Sequence, residues 1–93
     1  MSECRVVSKT RKIIGGKMIR VEAEVCNGFL KNIVISGDFF AHPEHIIDEI
    51  EEELKGRSIR EVLDIVEGYR DRVVFTGLSF DDLVLLLREI IES

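Results

Sequence analysis

Between Met18 and Val25 the chain alternates, with Ile19, Val21, Ala23 and Val25 apolar and Arg20, Glu22 and Glu24 charged. A period of two sends successive side chains to opposite faces of an extended chain, so this stretch predicts a half-buried strand. Asn27-Gly28 follows at once. That pair suits a type I′ turn, in which both central residues need positive φ, and predicts that residues 29–36 return as an antiparallel partner. In the simplest register Val25 faces Leu30 and Glu24 faces Lys31. The apolar positions change parity between Leu30 and Ile33, which calls for a bulge or a second covered face. Residues 4–13 are long enough for a third strand, turned into Lys17 by Gly15 and Gly16. The first part of the chain thus reads as a three-stranded meander.

After Asp38 the period changes to 3.6. Pro43 suits a first helical turn, where its missing N–H costs nothing, and Ile46, Ile47, Ile50 and Leu54 form one apolar stripe that ends at Gly56. The opposite face carries Glu44, Asp48, Glu49, Glu51, Glu52 and Glu53, the pattern of a solvated surface. Ser58–Glu61 reads as a capping box opening a helix with Ile59, Val62, Leu63 and Val66 inward, and Ser79–Asp82 as a second box before a last, largely covered helix. The run 72–75 reads as an extended lead-in rather than a fourth strand. Strands first and helices afterwards predict an α+β fold, a three-stranded antiparallel sheet with helices packed on one face, in a single domain spanning 1–93.

Composition adds bounds. At 93 residues with 45% hydrophobic and 33% charged residues and one proline, the chain has the makeup of an ordinary globular domain. It has no apolar run near the ~20 residues that span a bilayer, and its first residues lack a signal-peptide core, so a cytoplasmic location with no membrane role is expected. Cys4 and Cys26 are too few and too far apart for a metal cage or a disulfide framework and read as small buried hydrophobes. The net charge of −5 conceals an asymmetry: residues 1–37 carry +4 and residues 38–93 carry −9. Arg5, Lys9, Arg11, Lys12, Lys17 and Arg20 fall in a stretch with no acid. Such a stretch attracts phosphate or an acidic partner, and it equally guards an exposed edge strand against aggregation.

A self-contained enzyme needs a recognisable constellation, and none is encoded. Gly15-Gly16-Lys17 lacks the spacing and the following Ser or Thr of a phosphate loop, since Met18 comes next. His42 and His45 flank Glu44 without a clear third and fourth metal ligand. Ser36, Ser58 and Ser79 have no nucleophile-elbow context. Neither catalytic residues nor a metal site are predicted. What folding alone leaves unexplained is a pair of junctions. Two glycines, which let a backbone approach a ligand closely, stand directly before Lys17 at a strand entrance. Asp38, Phe39 and Phe40 stand where the sheet gives way to helix. Adjacent residues on an extended segment point to opposite sides, so one of the two rings is expected to face a partner.

At these junctions the sequence resembles the C-terminal domain of lipoate–protein ligase, in particular the bipartite ligases in which that domain is a separate small polypeptide. The resemblance rests on "GGKMIRVEAEV", the Asn-Gly hairpin, "ISGDFF" followed by a proline-led acidic helix, and "TGLSFDDL" before the last helix, over roughly residues 12–92. It implies an accessory subunit without catalytic residues of its own. In such systems the catalytic partner binds lipoate, ATP and Mg, forms lipoyl-AMP and passes the lipoyl group to a lysine of a carrier domain. The small domain is needed mainly for the adenylation step. The catalytic domain's signature, an arginine pair with a glycine triplet and a following His-Asp, is absent here.

The resemblance also implies that Gly15, Gly16 and Lys17 are nucleotide-proximal or interface residues, and that Asp38, Phe39 and Phe40 contact the catalytic subunit in a heterodimer. Carrier domains would be met only indirectly. An iron–sulfur assembly scaffold is the alternative on element order, but it needs about three convergent thiolates and the chain has two cysteines. A nucleic-acid module conflicts with the acidic net charge.

Overall fold

In the computed structural model, which describes residues 3–13, 15 and 17–93, the alternating stretch is the central strand of a three-stranded antiparallel sheet. Strand β1 (Cys4–Ile13), β2 (Lys17–Cys26) and β3 (Phe29–Gly37) lie in the order β1-β2-β3. The inner face of β2 is fully buried at Ile19, Val21, Ala23 and Val25, joined by Val7 of β1 and Leu30, Ile33 and Ile35 of β3. Asn27 and Gly28 both have positive φ, at 53° and 81°, as the tight turn demands. Val25 pairs with Leu30, but Glu24 pairs with Asn32, so the register shifts by one residue at Lys31. That bulge is what lets both Leu30 and Ile33 face the core.

Helices α1 (Ile46–Leu54), α2 (Ile59–Glu67) and α3 (Phe80–Glu92) cover the inner face, α1 against β3 and α3 against β1 and β2. Their buried stripes include Ile46, Ile50 and Leu54 of α1, Val62 and Val66 of α2, and Leu83, Leu86, Leu87 and Ile90 of α3. Helix α1 and the α1–α2 connection also close the outer edge of β3: Gly56 N–H donates to the Leu30 carbonyl at 2.7 Å, Leu30 N–H to that of Arg57 at 2.8 Å, and Ile35 N–H to the carboxylate of Glu51 in α1 at 2.7 Å. One of the acids assigned to a solvated face thus seals a strand edge. Among the described residues no helix is long and apolar enough to cross a membrane.

Four expectations need correction. Residues 72–75 are not merely a lead-in, because β5 (Val74–Thr76) pairs antiparallel with a short strand β4 (Phe40–His42) as a separate two-stranded ribbon. This pairing keeps the chain extended through His42, so α1 starts at Ile46 and Pro43 lies in the preceding turn, its carbonyl accepting from Ile46 N–H at 3.0 Å. Ser79 and Asp82 form the full reciprocal box, whereas Ser58 caps α2 only by accepting from Arg60 N–H. Cys4 and Cys26 are not buried hydrophobes: they are exposed and half-buried, stand opposite each other in the β1–β2 register and are joined in a disulfide. Their sequence separation of 22 conceals a pairing that the hairpin register creates.

Candidate functional site

Three segments distant in sequence meet at the Lys17 end of the sheet. Gly37 closes β3 opposite Ile19, with φ 153°, and a Cβ placed on it would collide with the Met18 carbonyl oxygen. Only glycine fits there. The next residue, Asp38, donates its N–H to that same Met18 carbonyl at 2.8 Å, so the start of β2 fixes the path of the Asp-Phe-Phe segment. Gly77, at φ 103° between β5 and α3, comes up beside both: a Cβ on it would lie 3.1 Å from Lys17 Cδ, 3.4 Å from Lys17 Nζ and 3.2 Å from the Asp38 carbonyl oxygen. Lys17 is therefore half-buried along its stem, with its ammonium held near Gly77 and Asp38. Among the described residues it forms no ion pair.

The neighbouring start of α3 is strongly tied down. Asp82 accepts from Ser79 N–H at 3.0 Å and from Arg11 Nε at 3.3 Å. Its carboxyl is held below the usual range chiefly by the Ser79 N–H, with the Ser79 hydroxyl and Arg11 adding to the effect against partial burial. The ion pair joins β1 to α3 at the same end of the molecule. Arg11 is thus accounted for structurally, which narrows the basic stretch as a ligand surface.

The two aromatic rings separate as alternation requires. Phe39 turns inward and meets Phe75 edge-to-face at 5.7 Å, and Phe75 in turn stacks towards Phe80 at 6.0 Å. Phe40 turns outward and is 76% exposed. Along the ribbon, Phe40 pairs with Thr76 and His42 with Val74, so these four exposed residues share one face while Ala41 and Phe75 share the inner one. Val74 is itself 66% exposed. An open groove of about 500 Å³ runs between this ribbon, the end of β3 and α1, bordered by Phe39, Phe40, Gly37, Glu44 and Ile47.

Of the residues singled out from the sequence, Lys17, Asp38 and Phe39 come together around Gly37 and Gly77, and Phe40 lies on the adjoining surface. Gly15 is in the β1–β2 turn with φ 96°, and Gly16 lies outside the described residues. Val74 and Gly77, which the structure places beside Phe40 and Lys17, were not singled out from the sequence. The β-branched run before Thr76-Gly77 was the available signal, and it reads from sequence only as an extended lead-in to the last helix. His42 and His45 are exposed, and the potential metal ligands that cluster among the described residues are different ones, Cys4, Glu24 and Cys26, with the two sulfurs joined in the disulfide.

The family model described as bacterial lipoate protein ligase C-terminus matches residues 4–87. A protein of Thermoplasma acidophilum, lipoate-protein ligase A subunit 2, is 38% identical over 74 residues, covering 78% of this chain and 79% of that one. A solved structure of an archaeal lipoylation system from the same organism, comprising a bipartite lipoate protein ligase and its E2 lipoyl domain, contains a chain that superimposes with a TM-score of 0.82 at 34% identity. The match covers 92% of this chain and 98% of that one.

Proposed function

Because the chain belongs to the bacterial lipoate protein ligase C-terminus family, we propose that it is the accessory subunit of a bipartite lipoate–protein ligase, bound to a separate catalytic subunit and required for the ATP-dependent formation of lipoyl-AMP. The observation that carries this reading is the 38% identity, over about four-fifths of both chains, to a relative that is itself named as a second subunit. ATP, Mg and lipoate are handled by the catalytic partner, which then transfers the lipoyl group to a carrier-domain lysine. The iron–sulfur alternative finds no support in the donor set, since the two sulfurs are bonded to each other.

The corner of Lys17, Gly37, Asp38 and Gly77 supports a role in that first half-reaction. Three backbone segments converge there with little side-chain bulk, and one ammonium group is held by its stem rather than neutralised by a described carboxylate. A positioned lysine of this kind stabilises negative charge that develops on ATP or on departing pyrophosphate when two domains close on each other. Phe40 and Val74 supply an exposed apolar surface beside it, on which a catalytic subunit can seat.

Reconstitution tests the reading. Mixed with a cognate catalytic subunit, the chain should restore pyrophosphate release from ATP and lipoate, and alone it should release none. Turnover by the isolated chain, or no stimulation of a catalytic subunit with which it demonstrably associates, would overturn it.

A further inference from the structure

At the other end of β2, Cys4, Glu24 and Cys26 bring two sulfurs and a carboxylate oxygen within 4.8 Å of one another. We propose that, once its disulfide is reduced, this cluster is a three-ligand site for a soft divalent cation of the zinc class, with the fourth position left to water. Cys4 and Cys26 are directly opposed, and Glu24 lies two residues from Cys26, so all three project from the sheet face that the helices leave uncovered.

Contacts other than the covalent bond also oppose the two cysteines. Glu3 N–H donates to Asn27 Oδ1 at 3.1 Å and Asn27 N–H donates to the Glu3 carbonyl at 3.0 Å, so the ladder itself holds Cys4 against Cys26. The two Cα atoms are 4.1 Å apart. Tetrahedral zinc with Zn–S of about 2.3 Å places its two sulfurs roughly 3.8 Å from each other, a separation reached by side-chain rotation with the backbone in place. Glu24 is half-buried and forms no ion pair among the described residues, which leaves its carboxylate free to supply oxygen. Two thiolates favour zinc-class ions over magnesium or calcium, and the exposed flank of Cys4 admits the water.

The chemistry balances. A phosphine reductant takes oxygen from one water molecule and becomes its oxide, and the two protons of that water pass to the two sulfurs. The incoming cation then displaces both thiol protons into solution. Disulfide and cation therefore exclude each other, and the site is gated by redox state.

The test is titration of the phosphine-reduced chain with Co²⁺, followed by displacement with Zn²⁺. One equivalent of Co²⁺ should give thiolate-to-cobalt charge-transfer absorption, which Zn²⁺ abolishes. The oxidised chain should give none, and Cys4→Ser and Cys26→Ser should each lose the paired-thiolate band. Glu24→Gln, which removes no core side chain, should keep the band but bind more weakly, by no less than the roughly 10-fold that losing even an outer-sphere partner costs. Circular dichroism of the reduced wild type and of Glu24→Gln controls for folding. A folded, reduced chain that shows no such band overturns the proposal, as does a band surviving in Cys4→Ser. Unchanged affinity in Glu24→Gln overturns the three-ligand assignment.

Discussion

The stem of Lys17 lies across Gly77, with Cδ 3.1 Å from the point a Cβ on that glycine would occupy. The contact joins the entrance of β2 to the turn before α3, and the Asp38 carbonyl borders the same glycine. Lys17→Ala should leave the fold and the transfer of lipoyl from preformed lipoyl-AMP nearly intact while slowing adenylation by the reconstituted pair about 100-fold, the usual cost of losing one preorganised charge contact. Pyrophosphate release against transfer, measured on the same preparation, separates the two steps. Equal loss of both would point instead to failed association.

Gly77→Ala probes the same relationship from the other side. A methyl group there must displace the lysine stem and adopt a φ of 103° that an L side chain disfavours. The melting temperature should fall modestly, and adenylation should fall with it even where the variant is fully folded.

Phe39 and Phe40 should respond in opposite ways. Truncating the half-buried Phe39 removes its contact with Phe75 and should cost about 2 kcal/mol of stability, less than a fully buried ring. Phe40→Ala, at a ring 76% exposed, should leave the melting temperature within about a degree or two and weaken binding of the catalytic subunit by ~2 kcal/mol. Thermal denaturation and titration calorimetry check each arm. A Phe40→Ala subunit that binds as tightly as the parent removes the ribbon from the interface.

Tyr69 is buried, its hydroxyl donating to the Glu53 carboxylate, and burial first and that hydrogen bond second push its pKa up to about 12. The folded chain therefore holds this proton more tightly than the unfolded chain, whose tyrosine titrates near the ordinary value of about 10. Stability from this group is complete below pH ~10 and drains away as the pH rises towards 12. Tyr69→Phe should lower stability at neutral pH by about 1 kcal/mol and flatten the alkaline part of the profile. Denaturant midpoints measured from pH 8 to 12 decide it.

The meander and the helical faces were legible because each rests on local rules: alternation at 18–25, positive φ at Asn27-Gly28, serine caps at Ser58 and Ser79, and a parity change that announced the bulge at Lys31. The opposed directions of Phe39 and Phe40 followed from alternation as well. The ribbon of β4 and β5 did not. Three-residue strands carry too little periodicity to stand out, and their partner lies more than thirty residues away along the chain, so only the packed fold brings Phe40 against Thr76. The same holds for Lys17, Gly37 and Gly77. Each glycine is visible in the sequence, but that Gly37 abuts Met18 and Gly77 abuts Lys17 depends on how the sheet end meets the turn before α3. Likewise the two cysteines became a pair, and with Glu24 a cluster, only through the β1–β2 register. Local propensity and solvent partition dictate which residues are extended, helical or buried, whereas the meeting of residues distant in sequence is a property of how the whole chain closes, and the clusters around Lys17 and around Cys26 are both of that second kind.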